Sequence, residues 1–116
     1  MEEKDMFEKN LFGICPYFTS QKILTGKWSL LILYHLDKKT LRFNEMERLL
    51  SPITQTTLTK QLRSMEDSGL IVRTVYNQIP PKVEYSLSEI GKKFKPVLNC
   101  LGVWGTEYIQ YMKEQK

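Results

Sequence analysis

Apolar residues recur at helical spacing in three successive blocks, give way to strict alternation, and return to helical spacing through the C-terminal region. Trp28, Leu31, Ile32, His35 and Leu36 fall at i, i+3, i+4, i+7 and i+8, one face of a helix. A shorter helix is expected before them over residues 16–24, because the fixed φ of Pro16 suits a first helical turn. Phe43, Met46, Leu49 and Leu50 form the next unit. Ser51-Pro52 closes it with a turn, since the residue before a proline disfavours the α conformation. Thr54 is placed to N-cap a further helix whose apolar face carries Leu58, Leu62 and Met65, and Gly69 is placed to end it.

The period then changes. Val83, Tyr85 and Leu87 alternate with Glu84 and Ser86, which predicts a strand with one buried face. Residues 70–76 are rich in β formers, so the two runs read as an antiparallel hairpin with a five-residue tip, Asn77-Gln78-Ile79-Pro80-Pro81. Two prolines make that tip stiff and unable to extend the ladder. Ser88 caps a last helical region carrying Phe94, Val97, Leu98, Leu101, Trp104, Tyr108 and Met112, which Pro96 either kinks or splits. Residues 1–14 lack such a pattern and read as a mobile or loosely docked arm, leaving 15–116 as one domain. The expected fold is mainly α with a small antiparallel β-hairpin, a winged helix-turn-helix flanked by N- and C-terminal dimerisation helices.

Composition narrows the function classes. With 41% hydrophobic and 26% charged residues the chain matches ordinary globular domains and can bury a core without staples. Its densest apolar run, 28–34, is far short of the ~20 residues that span a bilayer. The acidic start lacks a signal peptide's basic and apolar regions, so a cytoplasmic protein is expected. Two cysteines, Cys15 and Cys100, and one histidine, His35, supply neither a disulfide framework nor a zinc set. Gly26-Lys27 is followed by Trp28, with Gln21 where a phosphate loop needs its first glycine, and no Gly-x-Gly-x-x-Gly or Gly-x-Ser-x-Gly occurs. No catalytic residue, metal or cofactor is expected.

Charge points to a partner. The net charge is +4, but residues 1–8 hold four acids and one lysine, so 9–116 carry +7. A basic body suits nucleic acid. The helix after Thr54 is the reader of the major groove in such a fold. No Asp or Glu occurs over 48–65, which holds Arg48, Lys60 and Arg63, or over 68–83, which holds Arg73 and Lys82. Carboxylates would be repelled by phosphates, so these windows belong where DNA is approached. Opposite the apolar face stand Thr56, Thr59, Lys60 and Arg63, with Gln55 and Thr56 at the end that enters the groove. Gln bonds adenine bidentately, Thr contacts base edges or the thymine methyl, and Lys and Arg reach phosphates or guanine.

The sequence also resembles the HxlR family of bacterial winged-helix regulators, relatives of the MarR family. The resemblance runs from Cys15 to Tyr111. It rests on Cys15-Pro16, the block from Gly26-Lys27-Trp28 to Leu33, and Leu41-Arg42-Phe43-Asn44-Glu45-Met46. It continues through the run from Ile53 to Thr59, Gln61-Leu62-Arg63, Gly69-Leu70-Ile71, the run from Pro80 to Ser88 with Gly91, and Trp104-Gly105. Ser88 stands where the family usually has Thr. The resemblance implies a homodimeric DNA-binding transcriptional regulator acting on nearby genes, and a repressor is expected. A two-fold symmetric dimer would read double-stranded DNA as an inverted-repeat operator. It implies that Arg42 and the wing grip the backbone; Lys38 and Lys39 beside Arg42 support a basic patch there. The DNA-binding set is then Arg42, Thr54, Gln55, Thr56, Thr57, Thr59, Lys60, Arg63, Arg73 and Lys82. A winged-helix protein-interaction module without DNA is the alternative.

Two features lie outside that set. Phe94, Leu98, Leu101, Trp104, Tyr108 and Met112 exceed what a small winged-helix core needs, which reads as a dimer interface shared with the N-terminal helix, with cover for their own domain as the competing reading. Cys15 precedes Pro16 at an expected helix start, where a thiolate is stabilised and more easily oxidised. Members of the resembled family include thiol-based sensors with a cysteine in this Cys-Pro position, so Cys15 is a candidate redox sensor, with a plain packing role as the competing reading. Cys100, among Val97, Leu98 and Leu101, is expected to be buried and inert, or a resolving partner across a dimer.

Overall fold

The computed structural model describes residues 11–115. Residues 1–10 of the expected arm lie outside them. Residues 11–14 form a turn tied to the first helix, with the Cys15 amide donating to the Leu11 carbonyl at 2.8 Å and the Gly13 amide donating to Thr19 Oγ1 at 2.9 Å. The helices in chain order are α1 (Pro16–Ile23), α2 (Ser29–Lys38), α3 (Phe43–Leu49) and α4 (Gln55–Asp67). Strands β1 (Ile71–Tyr76) and β2 (Lys82–Leu87) come next, then α5 (Glu89–Lys92) and the long α6 (Lys95–Glu114). The strands pair antiparallel in the register Ile71–Leu87 to Tyr76–Lys82, leaving the expected five-residue tip. Leu41 and Tyr85 exchange backbone bonds of 3.0 and 2.8 Å, so the link between α2 and α3 joins the base of the wing. This is the expected winged helix-turn-helix.

One core holds these parts. Ile32, Leu33 and Leu36 of α2, Met46 of α3, Leu58, Leu62 and Met65 of α4, and Ile71, Tyr85 and Leu87 of the wing are buried together. α2 turns Ser29, Ile32, Leu33 and Leu36 inward, while Leu31 faces outward with Leu30 and Tyr34. The expected stripe through Leu31 is therefore offset by about one residue. Residues 28–34 are apolar almost throughout, so spacing alone cannot choose between two overlapping faces. In α3, Met46 is buried and the adjoining Leu50 closes the core, but Leu49 is exposed.

α4 has both ends fixed as its sequence predicts. Thr54 Oγ1 accepts from the Thr57 amide at 3.1 Å. At the other end Leu70 donates to the Met65 carbonyl and Gly69 to Glu66, each at 3.0 Å, with Gly69 at φ +83°. This is a Schellman stop, which needs the left-handed region at glycine. Ser88 caps α5 through the Gly91 amide at 3.0 Å. Pro96 opens α6 rather than kinking it, so the last region is split.

α6 stands apart from the core. Phe94, its N-cap, and Leu98 pack against the core cluster, yet no residue of α6 is buried among the described residues. Cys100 is exposed, not buried as expected, because among the described residues it lies beyond Phe94 and Leu98, the positions of this region that pack against the core.

Candidate nucleic-acid interface

With Leu58, Gln61, Leu62 and Met65 turned into the core, helical spacing puts Thr56, Lys60 and Arg63 on the ridge of α4 that faces out. All three are exposed, as are Thr54, Gln55 and Thr57 at the helix start. Thr54 and Thr57 are not free side chains: the Thr54 hydroxyl bonds the Thr57 hydroxyl at 2.9 Å while capping the helix. Thr59 is half-buried and its hydroxyl donates to the Gln55 carbonyl at 2.8 Å, so it shapes the flank more than the ridge.

A cleft runs along each flank of that ridge. One is lined by Thr59, Arg63 and Glu66 of α4 with Phe43, Arg73 and Tyr85, and thus joins α4 to the wing. The other is lined by Thr57, Lys60, Gln61 and Ser64 with the loop Thr25-Gly26-Lys27-Trp28. Arg63 and Arg73, one from each window free of acid, are thus brought to one cleft, which Glu66 also lines.

Arg42 lies at the N-cap of α3, exposed, over a shallow basin with Asn44, Glu45 and Arg48. Glu45 Oε1 accepts from the Arg42 amide at 2.9 Å, and Glu45 Oε2 lies 3.8 Å from Lys39 Nζ. That backbone bond, more than the cations Lys39, Arg42 and Arg48 around it, holds the Glu45 carboxyl below the usual range. The carboxylate thus fixes the backbone beneath Arg42 within a cluster of three cations. In the wing, Lys82 is half-buried, 3.3 Å from Glu84 and 4.9 Å from the centre of the Tyr76 ring. Its charge is partly balanced inside the hairpin, unlike the exposed Arg73.

Sequence reading misses the positioning roles of three residues, Gln61, Gly26 and Ser29. Gln61, on the inner face of α4, is buried and donates from Nε2 to the Thr25 carbonyl at 3.1 Å. Gly26, at φ +91°, lies against that amide so closely that a Cβ there would collide with Gln61 Oε1. The hydroxyl of buried Ser29 donates to the carbonyls of Thr25 and Gly26. The loop before α2 is thereby locked to α4. A glycine before Lys-Trp is the visible signal; a glutamine among leucines reads as surface until its helix is oriented.

Cys15 is the N-cap of α1, half-buried, with its sulfur accepting from the Phe18 amide at 3.5 Å. It lies outside the α4–wing surface. Leu101, Trp104, Tyr108 and Met112 are all exposed on α6, with Trp104 and Tyr108 stacked at 5.4 Å and Tyr108 against Tyr111 at 5.7 Å. Among the described residues no group of His, Cys, Asp or Glu could hold a metal, and no helix is long and apolar enough to cross a membrane.

The chain matches the family model described as HxlR-like helix-turn-helix over residues 23–113. It is 49% identical over 97 residues to the uncharacterized HTH-type transcriptional regulator YdeP of Bacillus subtilis, covering 84% of this chain and 76% of that protein. Among solved structures, the redox regulator HypR in its reduced form superposes with a TM-score of 0.80 at 38% identity, covering 85% of this chain and 98% of that one. The same regulator in its oxidized form gives 0.75 at 42% identity, covering 80% and 96%.

Proposed function

The chain belongs to the HxlR-like helix-turn-helix family, and from that premise we propose that it acts as a homodimeric transcriptional repressor that lays α4 in the major groove of an inverted-repeat operator. The observation that carries the reading is the α4 ridge of Thr56, Lys60 and Arg63, flanked by two clefts that each hold a pair of cations. Gln55 and Thr56 at the leading end read bases, while Arg42, Arg73 and Lys82 grip phosphates. Dimerisation is supported by the stacked aromatic face of α6, which the described protomer leaves uncovered.

Oxidant responsiveness belongs to Cys15 in this reading. Its support is the Cys15-Pro16 start of α1 and the similarity to a redox regulator known in reduced and oxidized forms. Exposed Cys100 on α6 offers a second thiol; joining the two as a disulfide breaks both S–H bonds and passes two electrons and two protons to the oxidant.

The test is binding to duplex DNA flanking the protein's own gene, by anisotropy, before and after treatment with diamide, a two-electron thiol oxidant. Salt-sensitive binding is expected, lowered by diamide in the wild type and unaffected by it in Cys15→Ser. Absence of binding at any salt would favour a protein-interaction module. An equal diamide response in Cys15→Ser would remove Cys15 as the sensor and leave the DNA assignment intact.

A further inference from the structure

We propose that the cleft between the loop 25–28 and α4 is a seat for a DNA backbone phosphate, held by Lys27 and Lys60, on the strand opposite the one approached by Arg63 and Arg73. The inference rests on the reading of α4 as the groove helix. A helix lying in the major groove has one sugar-phosphate backbone along each side. Here each side of the α4 ridge carries a cleft with a pair of cations, one from α4 and one from another element. Arg63 pairs across its cleft with Arg73 of the wing, and Lys60 across the other with Lys27 of the loop.

The two clefts differ in a way that favours the loop side. Glu66 lines the wing-side cleft, whereas among the described residues no acid lines the loop-side one. Besides its two ammonium groups the loop-side cleft presents Ser64 and the Thr57 hydroxyl, which accepts from Thr54 and keeps its own hydrogen to donate, and its apolar wall is the half-buried Trp28. A phosphodiester has matching parts: an anionic oxygen pair for the lysines and hydroxyls, and a deoxyribose face for the indole. Lys27 Nζ lies 5.5 Å from the centre of the Trp28 ring, which restrains the side chain beside the cleft.

The seat is also built rigidly. Gln61 bonds the Thr25 carbonyl, Gly26 leaves room for that amide, and Ser29 ties the same turn to the start of α2. Lys27 is therefore carried by a turn fixed to α4 itself. A phosphate bound there would set the depth and angle at which α4 enters the groove, making Lys27 a positioning residue that reads no base.

The experiment compares wild type, Lys27→Ala and Arg63→Ala on a duplex selected from a random pool and on a scrambled duplex of the same composition. For Lys27→Ala, affinity should fall by a similar factor on both duplexes. The slope of log K against log salt should shrink by about 0.9, the value for one lost phosphate contact. Ethylation of one backbone phosphate should weaken the wild type and leave Lys27→Ala unaffected. Lys27 is exposed, so an unchanged melting temperature verifies the fold. An unchanged salt slope, or a loss confined to the selected duplex, overturns the phosphate seat while wild-type binding upholds the regulator reading. Failure of the wild type to bind any duplex overturns both.

Discussion

At the scale of single residues, the candidate interface depends on side chains turned away from the α4 ridge. Replacing Gly26 by alanine puts a methyl group on the Gln61 amide and strains a φ of +91°. The cost should be about 1–3 kcal/mol, read as a lowered melting temperature. DNA affinity should fall further than the stability loss explains, because the loop and α4 lose their common anchor. His35 behaves differently. Burial, and then the Lys38 ammonium, lower its imidazole below the ordinary 6.5. As pH falls through 6.5, the unfolded chain takes up a proton before the folded chain does, so folding stability declines on the acid side. In His35→Gln the fall of melting temperature below pH 6.5 should be shallower than in the wild type. These residue-level roles are the least legible ones in the sequence. Gln61 and Glu45 are polar types on helices, and only the orientation of those helices separates an anchor from a surface group.

At the scale of elements, legibility depends on whether a segment has one apolar face or two. α4 carries a single clean stripe between a threonine cap and a glycine stop, so spacing reveals its bounds, its inner face and its outward ridge. The hairpin is equally plain, because alternation and two prolines admit one pairing. α2 reads one residue out of phase, since Leu30, Leu31, Ile32 and Leu33 offer overlapping faces and the shared core decides between them only in three dimensions. The ridge of α4 makes separable predictions. Arg63→Ala should weaken binding on every sequence together with its salt slope if it meets phosphate. Gln55→Ala should cost about 1–3 kcal/mol on the preferred sequence and little elsewhere, as loss of a base contact does. Parallel titrations on selected and scrambled duplexes distinguish the two behaviours.

At the scale of the whole molecule, the protomer is more open than its length implies. Its radius of gyration is 16.7 Å, against about 13 Å for a compact domain of this size. Among the described residues two helices bury no residue, α1 and the long α6, and α6 carries Leu101, Trp104, Tyr108 and Met112 exposed while Phe94 and Leu98 at its start pack against the core. The sequence signals the surplus of apolar residues but not how they divide, since one stripe serves the protomer's own core at its start and stays uncovered beyond it. Cys100 is misplaced by spacing for the same reason. Trp104→Asp should lower the mass measured by light scattering to that of one chain while circular dichroism keeps the helical signal, because the substituted side chain is outside the core. All three scales bear on the proposed arrangement, in which two copies would present two α4 ridges to two related half-sites. Selection of bound duplexes from a random pool probes that arrangement without assuming an operator. The expected product is an enriched inverted repeat with half-site centres one helical turn apart, about 10 base pairs, or a multiple of it, and the enrichment should vanish when Gln55, Lys60 and Arg63 are all replaced by alanine. A pool that stays random, or the same repeat selected by the triple variant, would contradict it.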